Sequence, residues 1–226
     1  MNILALDCAV TRISLAVKTD SKFISATYDI GMRQSEILVP SIDELLKKAE
    51  LKPSELNATT LTIGPGSFTG LRLGISALKA IELAYNVPVY GISSLEAYAY
   101  PYKDFDIPII SCIDANKDKF YCRITSGDKV VLEDGDWEVE KITDTAKALN
   151  TALICGPDAA KLCEQLKITL PEKKYLLPAT GAMTAESLIS ITENMIESGK
   201  PALQDYDGPV YLRASEAELK LNGTIS

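Results

Sequence analysis

Gly64-Pro65-Gly66-Ser67-Phe68-Thr69-Gly70-Leu71-Arg72 is the stretch that decides how this chain folds. The apolar, β-branched segment Ala58 to Ile63 leads into it, and a long helical pattern, Leu71 to Tyr85, leads out. It therefore reads as a strand–turn–helix junction. The first amides of a helix have no intrahelical partner, so such a junction can hold an anion or let the helix approach a neighbour closely. A dinucleotide fingerprint would need the third glycine one place before Gly70 and an acid about 20 residues on. The segment Asn86 to Ile92 offers no acid, and no lysine of a Walker loop appears before Lys79. Neither standard phosphate cradle is present, so the spacing favours a tight turn with close helix packing. Ser67 is then the N-cap of the helix.

Gly70, Gly74, Ala77 and Ala84 recur at near-helical intervals as a small-residue stripe, interrupted by Ile81. Phe68, Leu71, Ile75 and Leu78 form an apolar stripe beside it. Each helical glycine costs about 1 kcal/mol relative to alanine, which is tolerable where another backbone must come close. That backbone is either the chain's own sheet or a partner's helix, and the residues do not choose between them.

The composition narrows the chemistry. The chain has 226 residues, 46% of them apolar, enough for one large domain or two of about 110 residues. It contains no histidine, which removes Ser-His-Asp, Cys-His and HExxH chemistry and the commonest metal ligand. No carboxylates cluster like a metal site, and no cofactor is expected. Thirty-one acids against 23 bases give a net charge of −8, a poor basis for contacting nucleic acid directly. Five cysteines, Cys8, Cys112, Cys122, Cys155 and Cys163, lack CxxC spacing and read as reduced core residues. With no apolar run long enough for a bilayer and no basic leader before Ile3, a soluble cytoplasmic protein is expected.

Along the chain, strands are predicted over Ile3–Asp7, Arg12–Lys18 and Lys22–Asp29, then a helix over Ser35–Glu50 with Leu38, Ile42, Leu45, Leu46 and Ala49 on one face. Pro40 is expected to kink that helix or trim its first turn. Strand Ala58–Ile63, the glycine junction and its helix, strand Pro88–Ile92 and a short helix capped by Ser93-Ser94 complete the first half. The second half opens in the same way with Ile109–Asp114, then Asp118–Thr125, Lys129–Leu132, Thr151–Cys155, and helices Asp158–Leu166 and Ala185–Ser198. The fold class is α/β, a duplication of two β-β-β-α-β-α halves with mixed sheets. The halves divide as 1–100 and 101–226, with a hinge across Glu96 to Asp106. The arrangement resembles the actin-like (RNase H-like) class of actin, hexokinase and Hsp70-type ATPases. In that class an acid at the opening of each half manages a metal beside bound phosphates, which makes Asp7 and Asp114 vestigial phosphate-motif positions. The turns that follow, Cys8-Ala9-Val10-Thr11 and Ala115-Asn116-Lys117, contain no glycine to let amides close on phosphate oxygens.

The run GPGSFTGLRLG (Gly64 to Gly74), the opening ILALD (Ile3 to Asp7), RQSEILVPSIDELL (Arg33 to Leu46) and PVYLR (Pro209 to Arg213) together resemble the TsaB/YeaZ family. That resemblance implies a non-catalytic partner subunit in making N6-threonylcarbamoyladenosine in tRNA. Such a subunit pairs with the catalytic TsaD, is joined by the ATPase TsaE, forms a homodimer when alone, and meets tRNA only indirectly. Many relatives carry a histidine after the Arg-Gln pair; this chain has Ser35. The implied interface uses Ile37, Ser41, Glu44 and Lys48 of the first helix. From the second it uses Ser67, Phe68, Gly70, Leu71, Arg72, Gly74, Ile75, Ala77 and Leu78, with Arg72 either a polar anchor at the rim or simply solvated. Gly74→Leu is then expected to abolish dimerisation while the monomer stays folded. The alternatives are a stand-alone actin-fold ATPase or kinase, and a glycoprotease-like peptidase for which Ser67 is a poor nucleophile.

Overall fold

A computed structural model describes residues 1–31, 33–179 and 184–213. The first half holds β1 (Ile3–Asp7), β2 (Arg12–Lys18), β3 (Phe23–Asp29), α1 (Gln34–Ala49), β4 (Ala58–Gly64), α2 (Phe68–Tyr85), β5 (Val89–Ser93) and α3 (Ser94–Ala99). The second holds β6 (Ile109–Asp114), β7 (Lys119–Ser126), β8 (Lys129–Glu138), α4 (Val139–Ala146), β9 (Thr151–Cys155), α5 (Ala159–Thr169), β10 (Lys174–Leu176) and α6 (Thr184–Glu197). The two five-stranded sheets run in the order β3-β2-β1-β4-β5 and β8-β7-β6-β9-β10. In each, the first strand is central, antiparallel to the second and parallel to the fourth. That shared topology is the duplicated actin-like arrangement expected from the sequence.

The central strands are buried because both faces of each sheet are covered. On the outer face of the first sheet, Leu4, Leu6, Leu15 and Leu61 meet Leu38, Ile42, Leu45 and Leu46 of α1 and Leu78 of α2. Each fully buried leucine there contributes about 1.5–3 kcal/mol. The inner faces share a middle layer built by exchange. Helix α6, late in the chain, lays Leu188, Ile189 and Ile191 on Ile3, Ala5 and Ala16 of the first sheet. Helix α3 lays Leu95 and Tyr98 against Ile109, Ile113 and Leu153 of the second. Small residues on β1 and β2 let α6 sit close, and Lys18 on β2 donates to Glu193 at 2.6 Å. The outer face of the second sheet is covered by α4 and α5 around Phe120, Ile142, Leu162 and Leu166.

Several expectations need correcting. Helix α1 begins at Gln34 and runs through Pro40, so proline does not trim its start. Strand β8 extends to Glu138 rather than ending at Leu132, and α4 and β10 were not anticipated. The stretch Glu96 to Asp106, read as a hinge, includes the end of α3 and a helical turn at Tyr100–Tyr102. Residues 214–226, the end of the predicted second half, lie outside the described residues.

Candidate functional site

The glycine junction is occupied by the chain itself. Ser67 N–H donates to the Ala9 carbonyl at 2.6 Å, and a Cβ on Gly66 would stand 2.4 Å from that oxygen. Gly70 fits one turn further on because a Cβ there would stand 2.1 Å from the Cys8 carbonyl oxygen. The turn after β1 therefore plugs the junction with carbonyls, which repel rather than hold an anion. Gly64 has φ +123° and faces a different segment: a Cβ would lie 2.4 Å from the Val210 carbonyl oxygen. Val210 N–H bonds the Ile63 carbonyl at 2.7 Å. Ser67 caps α2 as expected, its Oγ accepting from Gly70 N–H at 3.2 Å.

These contacts settle which backbone the small stripe meets. Gly74 faces Leu6, Leu61 and Cys8 at 3.5–3.7 Å from an ideal Cβ. Gly70, Leu71, Gly74 and Leu78 are buried in the chain's own core, and so is Ser41 of α1. Five predicted interface residues are thus unavailable to a partner. The physical reason is that glycine spacing reports close approach and not what approaches. A Gly74→Leu change would overpack this core, so the expectation of a folded monomer fails. Glu44 and Lys48 are exposed and paired at 2.7 Å, Ile37, Phe68, Ile75 and Ala77 are half-buried, and Ser67 and Arg72 are exposed. The structure also exposes apolar side chains that sequence reasoning missed: Val39 on α1 is 60% exposed and Leu83 on α2 is 90% exposed. Both interrupt otherwise polar helix faces, which was a usable signal.

Arg72 is exposed but held in place by the chain itself. Its guanidinium carbon lies 3.8 Å from the Phe68 ring centroid, and its Nε donates to Tyr211 Oη at 2.9 Å. Tyr211 in turn stacks on Phe68 at 4.5 Å between centroids. The early glycine motif and the late PVYLR segment, separate in sequence, form one structural unit.

Asp7 and Asp114 occupy equivalent turns. Oδ1 of Asp7 accepts from Ala9 N–H, and Oδ1 of Asp114 from Asn116 N–H, both at 2.9 Å. Their surroundings differ. Asp7 is buried, with Thr62 Oγ1 donating at 2.8 Å and Tyr98 Oη at 3.4 Å. Burial pushes its carboxyl above the ordinary range, against the pull of hydrogen bonds from Ala9, Thr62 and Thr184 and of the Arg12 charge. Burial, followed by the Asp7 charge, likewise pushes the Tyr98 phenol up. Asp114 lies at the surface of the cleft, ion-paired to Lys161, and Asp158 accepts from its backbone N–H at 2.8 Å. Burial raises the Asp114 carboxyl, but its bonds to Lys161 and Asn116 outweigh that and hold it below the usual value. Between the two turns lies a cleft of about 620 Å³, lined among others by Arg12, Asp29, Gly66, Asp114, Asp158 and Arg213. Three acids face two bases there, unlike a polyphosphate site. Among the described residues no group of three metal-ligating side chains comes together, and no helix is long and apolar enough to cross a membrane.

A family model described as TsaD, tRNA N6-adenosine threonylcarbamoyltransferase, matches residues 31–205. The chain belongs to that family. At nearly full length it is similar to tRNA threonylcarbamoyladenosine biosynthesis protein TsaB of Escherichia coli (strain K12), with 27% identity over 99% of both chains. The protein of the same description from Bacillus subtilis (strain 168) is 25% identical over 97% of both. The solved structure described as YeaZ from Pseudomonas aeruginosa superposes with a TM-score of 0.78 at 24% identity, covering 93% of this chain and 99% of that one, a likeness of fold. The TsaB/YeaZ resemblance read from the sequence therefore stands within this family.

Proposed function

We propose that the chain acts in forming N6-threonylcarbamoyladenosine in tRNA as a non-catalytic subunit that docks on a TsaD-like transferase in the cytoplasm. The relatives named for this biosynthesis give the pathway. The observation that carries the non-catalytic role is the plugged junction: the amide of Ser67 is given to Ala9, and Gly66 has no room above it. The chain also lacks any histidine to serve as base or metal ligand. What it offers instead is the outer side of α1 and α2. Ile37, Val39, Glu44 and Lys48 lie on the first helix, and Phe68, Arg72, Ile75, Ala77 and Leu83 on the second. Small and apolar side chains interleaved with an ion pair suit helix-on-helix packing against a like pair, either of the transferase or of a second copy. A TsaE-like ATPase completes the assembly, and tRNA is met only through it.

The test is co-purification with the transferase and a threonylcarbamoylation assay with and without this chain. Leu83→Glu combined with Val39→Asp is expected to abolish co-purification and stimulation while thermal unfolding stays within a few degrees of wild type. Robust transfer or tight nucleotide binding by the chain alone, read by calorimetry with ATP and magnesium, overturns the reading.

A further inference from the structure

The segment after α6 does not end where the fold is complete. From Pro201 it runs back along the edge of the first sheet, where Leu203 N–H bonds the Val89 carbonyl at 2.8 Å and Lys79 Nζ donates to the Gln204 carbonyl at 2.9 Å. Gly91 lacks the Cβ that would stand 2.9 Å from Leu203 Cδ2. The segment then passes Gly64 through the Val210–Ile63 bond and places Tyr211 in the stack with Phe68 and Arg72. Two residues later it crosses to the second half. Arg213 donates from Nε and Nη2 to both oxygens of Asp136 on β8, each at 2.8 Å, and from Nη1 to the Ala115 carbonyl at 2.8 Å. Arg213 is also a wall of the cleft.

From this path we infer that residues 201–213 form a latch that couples the first turns of α2, at Phe68 and Arg72, to the width of the cleft between the halves. The latch is anchored on the first half through two backbone bonds, the Lys79 ammonium on the Gln204 carbonyl and an exposed aromatic–guanidinium stack. It is anchored on the second half by Arg213 alone, through a bidentate charged pair with Asp136, the geometry in which such pairs are strongest, and a bond to the Ala115 carbonyl. Tyr211 and Arg213 are two residues apart, joined through a bend at Leu212, so a displacement of Tyr211 from Phe68 pulls on the backbone that positions Arg213. Whatever covers Phe68 and Arg72 and fits only the seated stack must, by linkage, favour the state in which Arg213 grips Asp136. The coupling is a property of the chain alone and goes beyond the proposed pathway role.

The test uses the full-length chain with nitroxide labels at Ser21→Cys and Lys129→Cys, exposed positions in the hairpins of opposite halves. The five native cysteines are buried and do not compete for label. Pulsed electron resonance then reads the distance distribution in wild type, Arg213→Gln, Arg72→Ala and Lys161→Gln. Both latch variants are expected to shift and broaden the distribution to longer distances. Lys161→Gln, which removes a cation held by the cleft residue Asp114, is expected to leave it unchanged. In Arg72→Ala the Val210 amide should also exchange about 3- to 30-fold faster, as expected for losing one cation–π contact. A shift in Arg213→Gln alone overturns the coupling, and no shift in either latch variant overturns the latch. An equal shift in Lys161→Gln assigns the effect to lost charge and overturns it as well.

Discussion

Gly70 and Gly74 sit one turn apart on α2, and alanine at each should move stability in opposite directions. Alanine adds the same helix propensity at both, about 1 kcal/mol. At Gly74 the new methyl would rest 3.5–3.7 Å from Leu6, Leu61 and Cys8, ordinary apolar contact. Burying it adds about 0.8 kcal/mol, so Gly74→Ala should gain about 1–2 kcal/mol. At Gly70 the methyl would lie 2.1 Å from the Cys8 carbonyl oxygen and 2.9 Å from Gln34 Oε1. Helix and strand must then part by about 1 Å, an overpacking cost of about 1–3 kcal/mol or more. That shift also disturbs the bond from Gln34 Nε2 to the Val10 carbonyl. The net for Gly70→Ala is a loss of about 1–3 kcal/mol. For a chain of this size each kcal/mol moves Tm by about 2–4 °C. Gly74→Ala should therefore melt about 2–8 °C higher and Gly70→Ala about 2–12 °C lower, with urea titrations giving the same order at constant slope. Shifts of the same sign in both variants would refute the claim that the stripe packs on β1.

Asp7→Asn preserves the shape of a buried hub, since Asn Oδ1 can accept from Ala9 and Thr62 while its amide faces Tyr98 Oη. With the folded carboxyl raised above its unfolded value, the native state holds a proton that the unfolded chain has released. Wild-type stability therefore falls as pH rises from the ordinary carboxylate value through the raised one, by at most about 1.4 kcal/mol per pH unit, and is flat above. Asp7→Asn should remove that slope and be no less stable than wild type at neutral pH; an Asn variant that is less stable at pH 7 and more sensitive to rising pH counts against it. Ellman's reagent should find no fast thiol in the native protein and five after denaturation. All five cysteines are buried, and burial pushes the Cys112 and Cys122 thiols up and holds Cys155 up to about 12. A thiol that reacts within seconds would contradict this packing.

The strands and long helices were legible because their signals are local. ILALD and IISCID are apolar runs closed by an acid, and α1 carries its core residues at helical spacing. What was missed depends on contacts far apart in sequence. The continuation of β8, Glu133-Asp134-Gly135-Asp136, has the composition of a turn. It stays extended because Arg123 pairs with Asp134 at 2.7 Å, Arg213 pairs with Asp136, and the Trp137 ring lies where Gly135 lacks a Cβ. Helix α4 is short and threonine-rich, and β10 has three residues held by parallel pairing with β9. At the candidate site, sequence identified the junction and its closeness but not its neighbour, since glycine would look the same against a strand, a partner or Val210.

The duplicated turns place their two acids in different settings. At Asp7 the acid was drawn inward: Thr62, Tyr98 and the Ala9 amide use its oxygens, and the Ala9 carbonyl then fills the amides of the glycine junction. At Asp114 the acid lies at the cleft, where Lys161 supplies its counter-charge. The two settings differ in how readily they can be opened. Lys161 is on the surface and removable, so Lys161→Gln leaves the fold intact and frees a carboxylate. The Ala9 carbonyl is fixed by β1 and by the packing of α2, so the first site cannot be reopened without moving the helix whose outer side is the proposed docking face. The carbonyls that close the junction to an anion and the contacts that seat α2 are therefore the same structural feature of this chain.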